Sequence, residues 1–238
     1  MLDITQIPVL TDNYVYLITC KQTGITAVVD PAVSAPVIDT LGDSSLNLIL
    51  NTHHHPDHVG GNKTLKVRYG CTVVGASVDA HRIPGIDVKV DEGDTVEVGN
   101  AQAQVLFVPG HTSGHIAYYF AEDNALFCGD TLFAGGCGRL FEGTPEQMFN
   151  SLAKLAALPD KTRIFCAHEY TQSNLAFCKT ADPDNAHLQD RIKQVTALRA
   201  AQKPTVPSTL KEEKQTNVFL RAATVDAFTA LRQQKDTF

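Results

Sequence analysis

The chain lacks several features that would each have assigned it to a class. It has no Lys/Arg run to mark a membrane-surface patch, and no apolar stretch near the ~20 residues of a membrane span. Its first residues, MLDITQIPVLTDNYVY, have no basic segment and no uninterrupted apolar core, because Asp3 and Asp12 break them up. No secretory leader is expected. The six cysteines (Cys20, Cys71, Cys128, Cys137, Cys166, Cys178) include no C-x-x-C pair, so buried, reduced thiols are expected rather than a disulfide frame. No G-x-S-x-G motif is present, which removes a serine-nucleophile elbow. A formal charge of -6 argues against a nucleic-acid surface. What remains is an acidic globular chain of 238 residues, expected in the cytoplasm as a monomer with no nucleic-acid or membrane partner.

The runs NYVYLIT, GITAVVD, LNLIL, CTVVGA, AQVLFV, HIAYYF, ALFCG and RIFCA read as strands separated by Gly, Pro, Asp and Asn. The clearest helix among them is 145–157. Thr144 caps it, Pro145 takes its first position, Gln147 completes a capping box, and Met148, Leu152, Leu155 and Ala156 recur at helical spacing. After Tyr170 the character changes. TQSNLAFCKT, AHLQDRIKQVTALRAAQ and TVDAFTALRQQ are helical in period and rich in Ala, Leu and Gln. Two domains are expected, residues 1–168 built on strands and residues 169–238 built on helices.

What the chain does have is a concentration of histidine. Of nine histidines, four fall among the six positions His53 to His58. Four strand-like runs also end in a metal-capable side chain: LNLILNT at His53, AQVLFVPG at His111, ALFCG at Asp130 and RIFCA at His168. Strand ends can converge along one sheet edge, where loops carry chemistry on a rigid scaffold. On an extended segment His53 and His55 point to the same side and can share an ion. Pro56 stops the strand, so Asp57 and His58 can face a second one. His54 should point away from its neighbours. His81 and His187 read as ordinary polar residues, and His115 as a packing or supporting residue rather than a ligand.

The motifs T-H-x-H-x-D-H-x-G-G at 52–61, PGHTSGH at 109–115, LFCGDTLF at 126–133 and AHEYT at 167–171 resemble the metallo-β-lactamase superfamily. GGCGRLFEGT at 135–144, NVFLR at 217–221 and the final LRQQKDTF narrow the resemblance to the glyoxalase II (hydroxyacylglutathione hydrolase) family, over nearly the whole chain. The resemblance implies an α/β fold, an αββα sandwich of two mixed sheets with a small C-terminal helical domain. It implies two divalent metal ions, one held by His53, His55 and His111, the other by Asp57, His58 and His168, with Asp130 bridging them. Zinc is the first expectation; imidazole and carboxylate also suit iron or manganese. It further implies a glutathione site at Arg139, Phe141, Tyr170, Arg232 and Lys235. Arg139 stands where the family often has Lys, and Phe141 where many members have Tyr, so any contact through that hydroxyl is lost here.

The expected chemistry follows. Two cations sharing a water, held beside Asp57 and Asp130, lower its pKa so that a bridging hydroxide exists near pH 7. The implied substrate is an S-(2-hydroxyacyl)glutathione thioester, above all S-D-lactoylglutathione, in methylglyoxal detoxification. A thiol of pKa about 8.5 leaves as thiolate without a dedicated acid. The alternatives are a mononuclear iron glutathione-persulfide dioxygenase, which needs only two histidines and one carboxylate, another hydrolase of the same superfamily, and a non-enzymatic metal-binding module. For Arg232 and Lys235 the plain alternative is a solvated helix face.

Overall fold

Leu2–Val9 (β1) alternates buried and exposed side chains, as a strand with one solvated face does, whereas Asn13–Cys20 (β2) is buried on both faces. They open a six-stranded sheet in a computed structural model that describes residues 1–238. Thr26–Val29 (β3), Leu48–Leu50 (β4), Thr72–Ala76 (β5) and Val88–Val90 (β6) follow in that order. The β1–β2 and β2–β3 pairs are antiparallel, and the β3–β4, β4–β5 and β5–β6 pairs are parallel. Parallel neighbours need crossover connections. Ala35–Leu41 (α1) makes one between β3 and β4; Pro56–Val59 (α2) and Asn62–Tyr69 (α3) make the next. Val37 and Leu41 of α1 and Leu65 of α3 close over Val15, Leu17, Val28, Ile49 and Val73 of the sheet.

Thr95–Val98 (β7), Ala101–Phe107 (β8), Ile116–Phe120 (β9) and Ala125–Gly129 (β10) form an antiparallel meander. Every residue of β9 and β10 is buried. Phe127 of β10 meets Tyr16 of β2 edge-on at 5.5 Å, which suits the ring quadrupoles. All of this belongs to one compact unit, residues 1–107 and 114–129.

The second unit is 108–113 with 130–238. Leu132–Phe133 (β11) and Gly136–Cys137 (β12) form a small hairpin. Pro145–Ala156 (α4) has the expected cap: Thr144 accepts from Gln147 N, and Gln147 accepts from Thr144 N. Arg163–Cys166 (β13), Thr171–Ala181 (α5), Ala186–Ala200 (α6), Ser208–Thr209 (β14), Leu210–Thr216 (α7) and Val225–Asp236 (α8) complete it. The helices grip the hairpin by its backbone. Arg191 of α6 pairs at 2.5 Å with Glu213 of α7, whose other oxygen accepts from Gly135 N at 2.8 Å. Asn217 donates to Gly136 O at 2.9 Å, and Asn174 to Ala134 O at 3.2 Å. Glu213 is fully buried, and removing one member of such a pair typically costs about 3–5 kcal/mol. The six cysteines are free and buried as expected; burial pushes Cys166 up to about 12 and Cys137 up to about 11. No helix is long and apolar enough to cross a membrane.

Candidate metal centre

Each unit carries its own group of ligand-type side chains. In the first unit, β4 ends at Leu50 and an irregular segment with a bend at Thr52 leads to His55, the extended N-cap of α2, with Pro56 at its first position. Pro56 starts the helix that carries Asp57 and His58, and His58 comes back to His53, with ring centroids 4.0 Å apart. His53 Nε2 and His55 Nδ1 lie 3.1 Å apart, so the two rings present nitrogens to one point. Asp57 accepts from Asn13 Nδ2 at 3.0 Å.

Hydrogen bonds set which nitrogen each ring offers. Asp30 accepts from Thr52 N at 2.7 Å, from Thr52 Oγ1 at 2.6 Å and from His58 Nδ1 at 3.0 Å. His58 is thus protonated at Nδ1, which leaves the Nε2 lone pair for a ligand. Thr52 spends its single hydroxyl proton on Asp30, so it accepts from His53 Nδ1 at 3.1 Å, and His53 too offers Nε2. Asp30 itself is held at φ +49°, a left-handed conformation that costs a non-glycine residue on the order of 1–3 kcal/mol. Three hydrogen bonds to a buried carboxylate offset that strain. Gly129, at φ +47°, closes the same corner: a Cβ there would lie 2.3 Å from Thr52 Oγ1.

The remaining histidines behave as their spacing suggests. His54 turns to Asp79, 3.1 Å from its Nδ1, and Arg82 braces the same carboxylate at 2.5 Å. His115 stacks on His53 with centroids 4.6 Å apart and serves as a packing surface. His81 and His187 are exposed.

In the second unit the centre is Asp130. His111 Nε2 lies 3.3 Å from Asp130 Oδ2, and His168 Nε2 lies 3.4 Å from Oδ1. One carboxylate thus addresses two imidazoles, an oxygen to each. His111 donates from Nδ1 to the Arg139 carbonyl at 2.8 Å, which again leaves Nε2 for ligation. Gly138 permits this approach, since a Cβ there would lie 2.0 Å from Asp130 O and 3.1 Å from His111.

Aromatic and cationic residues frame that group. Phe141, 62% exposed, lies edge-on to His111 at 5.2 Å; Tyr170, 37% exposed, stacks on His168 at 4.6 Å. Arg139 is exposed. Arg232 is only 6% exposed: it donates to Cys137 O at 2.9 Å and lies 5.2 Å over the Phe219 ring. The solvated-face alternative therefore does not describe Arg232. Lys235 Nζ lies over the rings of Phe177 and Phe238, at 5.6 and 5.1 Å. Burial, and then the Arg232 charge, hold its pKa below the usual lysine value.

Residues 9–168 match the model of the metallo-beta-lactamase superfamily, and residues 169–238 match that of the hydroxyacylglutathione hydrolase C-terminus. A protein named hydroxyacylglutathione hydrolase from Methylococcus capsulatus is 54% identical over 254 residues, covering 100% of this chain and 99% of the relative. Another of that name from Rhodospirillum rubrum is 56% identical, covering 94% and 89%. The chain belongs to the hydroxyacylglutathione hydrolase family. Among solved structures, ETHE1 from Myxococcus xanthus superposes with a TM-score of 0.75 at 28% identity, covering 97% of this chain and 90% of that one. TTHA1623 in a di-iron-bound form gives 0.59 at 28% identity, covering 70% and 91%.

Family membership makes the chain a hydrolase and carries the metallo-β-lactamase fold, two sheets flanked by helices with a helical C-terminal region. Within this hydroxyacylglutathione hydrolase frame, sequence reasoning missed Asp30. A signal existed: Asp30 ends the run GITAVVD, just as the ligand candidates end theirs. It also missed Asp79, whose partner His54 is 25 residues away.

Proposed function

We propose that this chain hydrolyses S-(2-hydroxyacyl)glutathione thioesters, S-D-lactoylglutathione foremost, to a hydroxy acid and glutathione. The observation that carries the reading is Asp130, whose two oxygens each face a different histidine Nε2, at 3.3 and 3.4 Å. A carboxylate so placed suits two ions rather than one. In this proposal His53, His55 and His111 hold one ion, Asp57, His58 and His168 hold the other, and Asp130 bridges. The donor set fits: nitrogen and oxygen only, with His53, His58 and His111 each oriented by a hydrogen bond at Nδ1. Such donors suit zinc, iron and manganese. Zinc is our assignment, with iron the alternative, since the TTHA1623 relative is a di-iron form. Two divalent cations there would supply Lewis acidity, acidifying water and polarising the thioester carbonyl.

The chain's own residues do the rest. Asp57 and Asp130 place negative charge beside the attacking water. Phe141 and Tyr170 flank the substrate, with Arg139, Arg232 and Lys235 supplying positive charge for the glutathione carboxylates. The leaving thiolate needs no acid, since a thiol is itself acidic enough. We assign residues 1–168 to metal binding and 169–238 to substrate binding, and place the enzyme as a cytoplasmic monomer that disposes of the glutathione adduct of methylglyoxal.

The test is an assay of one metal-loaded preparation on S-lactoylglutathione and on glutathione persulfide. Release of glutathione from the thioester with no oxygen uptake on the persulfide is the expected outcome. Oxygen consumption with inert thioester would replace hydrolysis by the dioxygenase alternative.

A further inference from the structure

Two arginines of the second unit converge on one carboxylate. Asp236, at the end of α8, places Oδ1 3.3 Å from Arg139 Nε and 3.0 Å from Arg232 Nη2. Two positive charges against one negative leave a local surplus of one, within a chain whose net charge is -6.

The two arginines differ in how firmly they are held. Arg232 is buried and already tied to the Cys137 carbonyl, while its Nε is buried without a hydrogen-bond partner. Arg139 stands on the loop after β12 with its side chain 56% exposed. Without a partner such a stem samples many rotamers, and a ligand that grips it must order it. The Asp236 pair is made at Nε, only one of five guanidinium donors, so Arg139 keeps donors for a second carboxylate. Asp236 also joins the exposed arginine to the buried one through a single oxygen atom.

We propose that Asp236 is a positioning residue: it holds Arg139 ready for a carboxylate of the glutathione moiety, and so sets selectivity for glutathione thioesters over thioesters without that carboxylate. This rests on the thioester reading above. The same carboxylate also repels an anion and competes for Arg139, but two cations against one anion keep the cluster attractive to a further carboxylate. The exposed Arg139–Asp236 pair contributes little to stability by itself, which leaves orientation as its main effect.

The experiment compares Asp236→Ala and Asp236→Asn in the full-length, metal-loaded chain. It measures kcat and KM on S-lactoylglutathione and on a neutral thioester lacking carboxylates, and the Kd of glutathione itself by calorimetry. In Asp236→Ala the KM for the glutathione thioester and the Kd of glutathione rise about three- to ten-fold, the cost of ordering one free side chain. The loss on the neutral thioester is smaller by that same factor. Asp236→Asn keeps an oxygen for Arg139 Nε and retains most of the affinity. Tighter glutathione binding in Asp236→Ala would show competition instead and overturn the proposal. Equal losses on both substrates with a lowered Tm would show that Asp236 only docks α8, and would also overturn it. A parent chain that cleaves no glutathione thioester sinks the thioester reading; the glutathione Kd still decides the role of Asp236.

Discussion

The two units build their ligand groups differently. In the first, His53, His58 and Asp57 are fixed by side chains and backbone that are themselves buried or tied down: Asp30, Thr52 and Asn13. In the second, His111 and His168 converge on Asp130, and exposed groups surround them: Phe141, Tyr170 and Arg139. On the proposed reading, one group is organised to hold cations, and the other both holds cations and opens to a ligand. Substitutions in the first unit should therefore change metal content before KM, and substitutions around the second group's rim should change KM before metal content.

The largest effect is expected at Asp130, which addresses two histidines at once. Asp130→Ala should lose metal from both sites and bring activity near background, a deeper loss than His58→Ala. Elemental analysis of both variants checks this, and a variant that keeps two metals and turns over normally removes the bridging role. Asp30 comes next. Asp30→Asn keeps a residue that tolerates the left-handed backbone but no longer fixes the His58 tautomer. Metal affinity should fall about ten- to a hundred-fold, as for other outer partners of metal-binding histidines, with KM at saturating metal little changed. Metal titration by calorimetry decides it, and an unchanged affinity shows that Asp30 merely packs.

On the rim, Lys235→Ala should raise KM for S-lactoylglutathione about ten- to a hundred-fold, since a charged hydrogen bond is worth roughly 1.5–3 kcal/mol. Metal content should not move, and the effect should shrink on a neutral thioester and weaken with salt. Equal losses on both thioesters would reduce Lys235 to a folding role. The smallest effect belongs to His54, which turns from the ligand pair towards Asp79. His54→Ala should retain both metals and most activity; a metal loss like that of His55→Ala would mean that Asp79 and His54 hold the ligand pair in place.

Much of this was readable along the chain. The rule that core strands end in metal-capable side chains picked out His53, His111, Asp130 and His168 as candidates, because strand ends are local. The cap of α4 was readable because Thr144 and Gln147 are three residues apart. Long-range partners were not. Asp30 reads as turn punctuation before Pro31, and its partners lie 22 and 28 residues on. The strands β1, β6 and β7 went unread because half-exposed strands broken by polar side chains and Pro8 lack an apolar run. Helix α7, LKEEKQT, has a single apolar residue, and beside Leu210 it buries Glu213 and Thr216, both bonded to Arg191. Burial of Arg232 was equally hidden, since the spacing to Lys235 gives a shared face but not what covers it.

The central claim is a two-ion site assembled from seven residues. Metal content per chain, measured by elemental analysis on the same preparation whose S-lactoylglutathione hydrolysis is assayed, tests it most directly. The account predicts close to two metals per chain, with metal and activity both falling in His168→Ala. One metal per chain at full activity, unchanged in His168→Ala, would contradict it.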